Sequence, residues 1–204
     1  MKAFYERELK SYFYSMTGYV FIAFVTMFIG IYFMVYNMIN GYPYFSYTLS
    51  STLMILMIAV PILTMRSMSD ERRSRTDQML LTAPVSVWDI VLGKYLSMVT
   101  IFAIPMAIAC LCPLIIKANG TAYLAEDYAS ILAFFLMGCV YIAIGLFISS
   151  LTESQLIAAA GTFGILLLLI LWPWLLNFLP TTAYGSLAGL LILWSIVCFI
   201  LYRL

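Results

Sequence analysis

Asp70, Glu71, Arg72, Arg73, Arg75 and Asp77 stand close together and hold three of the ten cationic and three of the nine acidic side chains of the 204-residue chain. Only 9% of the sequence is charged, so this concentration needs a reason. Two kinds of chemistry suit it. The carboxylates could hold a divalent cation against a lipid headgroup, which needs several oxygen ligands and open coordination positions. The interleaved arginines would compete for the same oxygens. Alternatively, the stretch presents alternating charge and a following apolar run, Met79-Leu80-Leu81, to a soluble partner's groove. Other chemistry is excluded by composition. The chain has no histidine, which removes Ser-His and Cys-His nucleophilic sites, zincin motifs and bis-histidine haem. Gly93-Lys94 is followed by Tyr95 and preceded five residues earlier by Trp88, so it is not a phosphate-binding loop. The four cysteines, Cys110, Cys112, Cys139 and Cys198, fall inside apolar runs and read as packing residues.

The elements that position this stretch are membrane spans. Hydrophobic residues make up 65% of the chain, well above the roughly 45–50% of soluble domains. Apolar runs of about 20 residues, each able to cross a hydrocarbon core as a helix, recur near Gly18–Ile39, Tyr47–Arg66, Trp88–Leu114, Tyr128–Leu151, Gln155–Leu175 and Ala183–Tyr202. Ahead of them, Tyr5, Leu9, Tyr12, Phe13 and Met16 fall on one arc of a helix, with Glu6, Arg7, Lys10 and Ser11 opposite. That pattern predicts an amphipathic helix in the membrane interface, turning at Thr17-Gly18 into the first span. With a cytoplasmic N-terminus and six spans, Lys2, Arg7, Lys10, Arg66, Arg72, Arg73, Arg75, Lys94 and Arg203 lie inside and only Lys117 outside. The positive-inside bias selects that orientation.

The connections differ by side. Asn40 to Tyr47 is uncharged and aromatic, as expected of an interfacial belt. Lys117 to Asp127 reads as a short polar loop, with Glu126-Asp127 placed to start the fourth helix. Trp172 to Pro180 is apolar but bracketed by prolines, predicting either a broken, re-entrant helix or a kink and loop. Lys94 sits at the cytoplasmic boundary, where its ammonium can snorkel to the headgroups. Otherwise the spans are nearly free of the ionisable side chains that proton relays and ion-coupled carriers use. Any uphill transport therefore draws on another polypeptide.

Ser74 with Asp77 forms a capping-box-like pair. Residues Arg75 to Leu81 can continue a short helix that Pro84 ends. The run Asp70-Glu71-Arg72-Arg73-Ser74-Arg75-Thr76-Asp77-Gln78-Met79-Leu80-Leu81-Thr82-Ala83-Pro84-Val85-Ser86, followed by Leu92-Gly93-Lys94, resembles the permeases of ABC-2 type transporters, nearest to the gliding-motility-type branch. Arg75 stands where that family usually has glycine, and Asp77 where it usually has glutamate.

The resemblance implies an all-α, polytopic permease domain over residues 1–204, with room for a C-terminal extension. It has an N-terminal interfacial helix, six membrane helices and a cytoplasmic coupling helix between the second and third. It implies a dimer with a second copy or a related permease in the bacterial inner membrane, each half carrying a cytoplasmic ATPase subunit that binds ATP and Mg. This chain would bind no cofactor itself, and an accessory extracytoplasmic subunit is admitted. The ATPase contact falls on Arg72, Arg73, Arg75, Thr76, Asp77, Gln78, Met79, Leu80 and Leu81, with Thr152-Glu153-Ser154 as a second, smaller one. By analogy the second and fifth spans line the path and dimer seam, where Pro61, Ala158 and Gly161 suit bending and close packing. Gly185 and Gly189 mark packing in the last span. The expected function is ATP-driven export of a hydrophobic or amphipathic substrate. A lipid-processing enzyme with a carboxylate-bound Mg, or a structural subunit of a membrane complex, remain the alternatives. No feature points to nucleic acid.

Overall fold

A computed structural model describes residues 2–65, 67–69, 87–120 and 123–176. The sixth predicted span, with Gly185, Gly189, Cys198 and Arg203, lies outside these residues. Among the described residues the protein is all-helical: α1 (Lys2–Tyr14), α2 (Met16–Phe33), α3 (Ser46–Thr64), α4 (Val87–Ala109), α5 (Cys112–Asn119), α6 (Leu124–Leu151) and α7 (Gln155–Leu176). Five stretches are long and apolar enough to cross a membrane: Met16–Ile39, Ser46–Thr64, Trp88–Ala118, Leu124–Leu151 and Gln155–Trp174. The chain falls into two units, residues 1–164 and 165–204. In the second, the described residues are the continuation of α7.

An N-terminal helix, α1, forms where the periodicity predicts one. Tyr12 is buried and Tyr5, Leu9 and Phe13 half-buried, while Glu6, Arg7, Lys10 and Ser11 are exposed. Met16 departs from the arc and is exposed, because the helix has already ended. The turn comes at Ser15, whose backbone is extended, slightly before the Thr17-Gly18 expected. Gly18 then permits a tight return, since a Cβ there would stand 2.7 Å from the Tyr12 carbonyl oxygen.

The spans pack around a dry interior. Val25 of α2, Leu56 and Val60 of α3, Met98, Ile101 and Phe102 of α4 and Ile142 of α6 are all sealed within it. Helices α3 and α6 run parallel: Phe45, just before α3, meets Asp127 in the first turn of α6, and Thr64 at the far end of α3 meets Gly145. Two glycines set the spacing. A Cβ on Gly145 would reach 2.5 Å from the Thr64 Oγ1, and one on Gly138 would collide with the Phe102 ring. Phe102 stacks in parallel on Phe135, with ring centroids 5.7 Å apart.

One expectation needs correction. The third span does not stop at Leu114 and pass into a loop at Lys117. It breaks at Cys110–Leu111 and restarts as α5, with Pro113 in the opening turn and Lys117 in the last. Proline is favoured at a helix start because it lacks an N–H that would be unpaired there. The Tyr128 hydroxyl donates to the Cys110 carbonyl at 3.3 Å, satisfying an acceptor the break exposes. The first of the two helices alone, α4 with 23 residues, is about 35 Å long at 1.5 Å rise per residue. That exceeds the roughly 30 Å hydrocarbon core. The fifth span matches its expected extent, Gln155–Leu175: α7 runs through Pro173 to Leu176. The rest of the proposed re-entrant stretch, from Asn177 to Pro180, lies outside the described residues.

Candidate functional site

Arg72, Arg73, Arg75, Thr76, Asp77, Gln78, Met79, Leu80 and Leu81 lie outside the described residues. What is described is the structure on either side of them, at the end of the bundle that carries Lys94. Helix α4 begins at Val87, with Asp89 in its first turn.

Lys94 does not snorkel. Its residue is 1% exposed, and the ammonium turns into the protein and donates to the Ser67 carbonyl at 2.8 Å. The Glu8 carboxylate of α1 lies 3.7 Å from the same nitrogen and takes a second, 3.0 Å contact from Arg7 on its exposed side. Lysine can turn inward here because α1 and the residues after α3 supply two acceptors. An unpaired ammonium at that depth would be far too costly. Removing one partner from such a buried pair typically costs about 3–5 kcal/mol.

The face of α4 that receives α1 is built from residues at helical spacing. A Cβ on Gly93 would stand 2.7 Å from Phe4, so only glycine lets the two helices touch there. Ser97 is buried and donates to the Lys94 carbonyl. One turn further, the Thr100 and Tyr5 hydroxyls share a 2.8 Å hydrogen bond. Arg7 stacks over Phe4, 4.5 Å from the ring centroid.

Ser149 of α6 holds the other side. Its Oγ accepts from the backbone N–H groups of Met68 at 3.2 Å and Ser69 at 3.3 Å. It also donates to the Met65 carbonyl, as does the Ser69 hydroxyl. The chain that leaves α3 is thereby held by α4, α6 and, through Glu8, α1. Sequence reading missed Glu8, Ser67 and Ser149 in this role. The one available signal was Lys94 itself, a rare cation beside a span.

Of the remaining expected site residues, Thr152, Glu153 and Ser154 form the turn between α6 and α7. Glu153 is exposed and Ser154 half-buried, and the Ser154 carbonyl accepts the first-turn bond from Ala158 at 3.0 Å. Ala158 is fully buried, and a Cβ on Gly161 would stand 3.1 Å from the Ile148 methyl. Their close packing is therefore against α6 of the same chain. Leu156 and Ile157, on the other face, are 80% and 62% exposed. Pro61 is buried within α3, which continues past it. Between α4 and α6 lies an apolar groove of about 410 Å³, lined by Met68, Val91, Leu92, Tyr95, Leu146 and Phe147 among others.

At the opposite end, polar groups tie the loop Asn40–Phe45 to the bundle. The first span finishes in a π-helical turn, Met34–Ile39, which leaves Asn37 buried. Its amide donates to the Tyr42 and Tyr44 carbonyls at 2.8 and 3.2 Å and accepts from Thr48 at 2.8 Å. Gly41 sits at φ +68°, where only glycine is unstrained. Asp127, 1% exposed, accepts the Phe45 N–H at 2.8 Å. Tyr44 and Tyr123 stack with centroids 5.0 Å apart. Tyr123, then partial burial and Glu126, raise the Tyr44 phenol above its ordinary value, so it stays neutral at pH 7.

These features describe a membrane-embedded helical scaffold in which the end of α3 is fastened to α4 and α6 just before the charged stretch of the sequence. A family model described as ABC-2 family transporter protein matches residues 40–190, well over half the chain. Comparison with curated proteins and with solved structures gave no match. Membrane subunits of this family normally lack an ATPase site of their own and work with ATPase partners. The chain belongs to the ABC-2 family of transporter proteins and is its membrane-spanning permease.

Proposed function

We propose that this permease is the membrane half of an exporter of the gliding-motility branch, driven by a separate cytoplasmic ATPase that docks on Arg72 to Leu81 and, secondarily, on Thr152-Glu153-Ser154. The observation that carries this reading is the bracing of the flanking residues. The backbone from Met65 to Ser69 is fastened to α6 through Ser149 and to α4 through Lys94. A push on the connection would therefore reach several spans together rather than bend one loop.

The nine-to-one distribution of cations supports placing this end in the cytoplasm, in a bacterial inner membrane. The exposed faces of Leu156 and Ile157 support a second permease copy against the fifth span. The apolar groove between α4 and α6, and spans almost devoid of charge, suit a hydrophobic or amphipathic substrate.

Reconstitution tests this. Alone in liposomes, the chain should hydrolyse no ATP and move nothing uphill. With its ATPase added, hydrolysis should appear, and it should vanish when the ATPase's catalytic carboxylate is replaced. Uphill transport by the isolated chain on a proton or sodium gradient would overturn the proposal.

A further inference from the structure

We infer that the Lys94–Glu8 contact is a strut that carries motion from the ATPase-coupling connection to the interfacial helix α1. The inference rests on the coupling role proposed above and adds a route. Three observations meet at one nitrogen. The Lys94 ammonium holds the Ser67 carbonyl at 2.8 Å, immediately before the charged stretch. It faces the Glu8 carboxylate of α1 at 3.7 Å. It belongs to α4, the helix into which the stretch returns.

The neighbouring contacts make α1 follow rather than slide. At Gly93 the backbone of α4 touches Phe4, and the Tyr5–Thr100 hydrogen bond fixes the register two turns further along α4. Packed interfaces of this kind move as bodies instead of deforming continuously. Aromatic contacts such as Phe4 with Gly93 supply adhesion, while the Glu8 carboxylate links α1 directly to the group that grips the end of α3. Lys94 is thus a positioning residue for coupling. Its four-carbon stem places one charge where two helices and a chain end converge.

Glu8→Gln isolates the strut, because it leaves the Lys94–Ser67 hydrogen bond in place while removing the ionic attraction. Lys94→Met removes both, and Lys94→Arg restores charge and donors. The experiment uses the permease–ATPase complex in nanodiscs, with an environment-sensitive fluorophore on a cysteine at exposed Lys10, or separately at exposed Trp88 in the first turn of α4. A non-hydrolysable ATP analogue is the probe. In the parent complex both labels should respond to the analogue. In Glu8→Gln the ATPase should still co-purify and the Trp88 label still respond, while the Lys10 response falls at least threefold. Lys94→Met should abolish the Lys10 response, and Lys94→Arg should restore most of it. A Lys10 response unchanged in Glu8→Gln, with the ATPase bound and Trp88 responding, overturns the strut alone. An ATPase that fails to bind the parent chain overturns the coupling role itself, and the strut with it.

Discussion

Helix α6 holds α3 at both ends, and the two holds are made differently. At the Asp127 end a buried carboxylate accepts the Phe45 N–H, and fully paired Asn37 and stacked tyrosines close the loop around it. At the Lys94 end the Ser149 hydroxyl takes two backbone N–H groups at longer range, 3.2 and 3.3 Å, and an ammonium joins a third element. The first arrangement is a short, charge-assisted bond within a closed knot, which suits a fixed end. The second spreads a weaker grip over several helices beside a charged connection, which suits an end that receives a load.

The packing between these holds is common to both, so disturbing it should have the largest effect. Gly145→Val would place a branched side chain where even a Cβ stands 2.5 Å from Thr64 Oγ1. Overpacking of this kind costs about 1–3 kcal/mol or more. The thermal midpoint of the purified permease in detergent should fall clearly, and both ends should loosen. An unchanged midpoint would mean that α3 and α6 are not in contact there.

The comparison sharpens when each hold is cut alone. Asp127→Ala removes a charged acceptor and strands the buried Phe45 N–H, costing about 2 kcal/mol. Asp127→Asn keeps an acceptor oxygen and should lose less than half of that. Ser149→Ala removes a longer, shared acceptor and should cost about 1 kcal/mol. Its larger consequence should be functional: stimulation of the ATPase by the permease should drop severalfold in Ser149→Ala and hold in Asp127→Asn. Equal functional loss at the two ends would erase the distinction between a fixed and a loaded end.

Much of the fold was legible because a membrane imposes one demand repeatedly. Runs such as Leu124–Leu151 must be apolar over the core thickness, and nothing competes with that signal. The N-terminal helix α1 was legible from its arc of aromatic and aliphatic residues. Less legible was whatever depends on partners distant in sequence. Lys94 at a span boundary can reach headgroups or turn inward, and the choice is made by Ser67 and Glu8, 27 residues ahead in one case and on another helix in the other. Asp127 reads as a helix-start residue, which it is, but its acceptor role depends on Phe45, 82 residues away. The break at Cys110–Leu111 was hidden inside an unbroken apolar run, where hydropathy carries no boundary information. Gly138 and Gly145 look like ordinary membrane glycines until Phe102 and Thr64 are set against them.

The central claim is that the charged connection between the second and third spans is the seat of a separate motor, and a paired substitution within it tests that most directly. Met79→Asp together with Leu80→Asp puts two charges where an apolar groove contact is proposed, and burying an unpaired charge is too costly to tolerate. The doubly substituted permease, purified in mild detergent, should retain the parent thermal midpoint because no span is altered. It should lose at least nine-tenths of its co-purifying ATPase and of its stimulation of ATP hydrolysis. Full ATPase association and full stimulation in that protein would contradict the account.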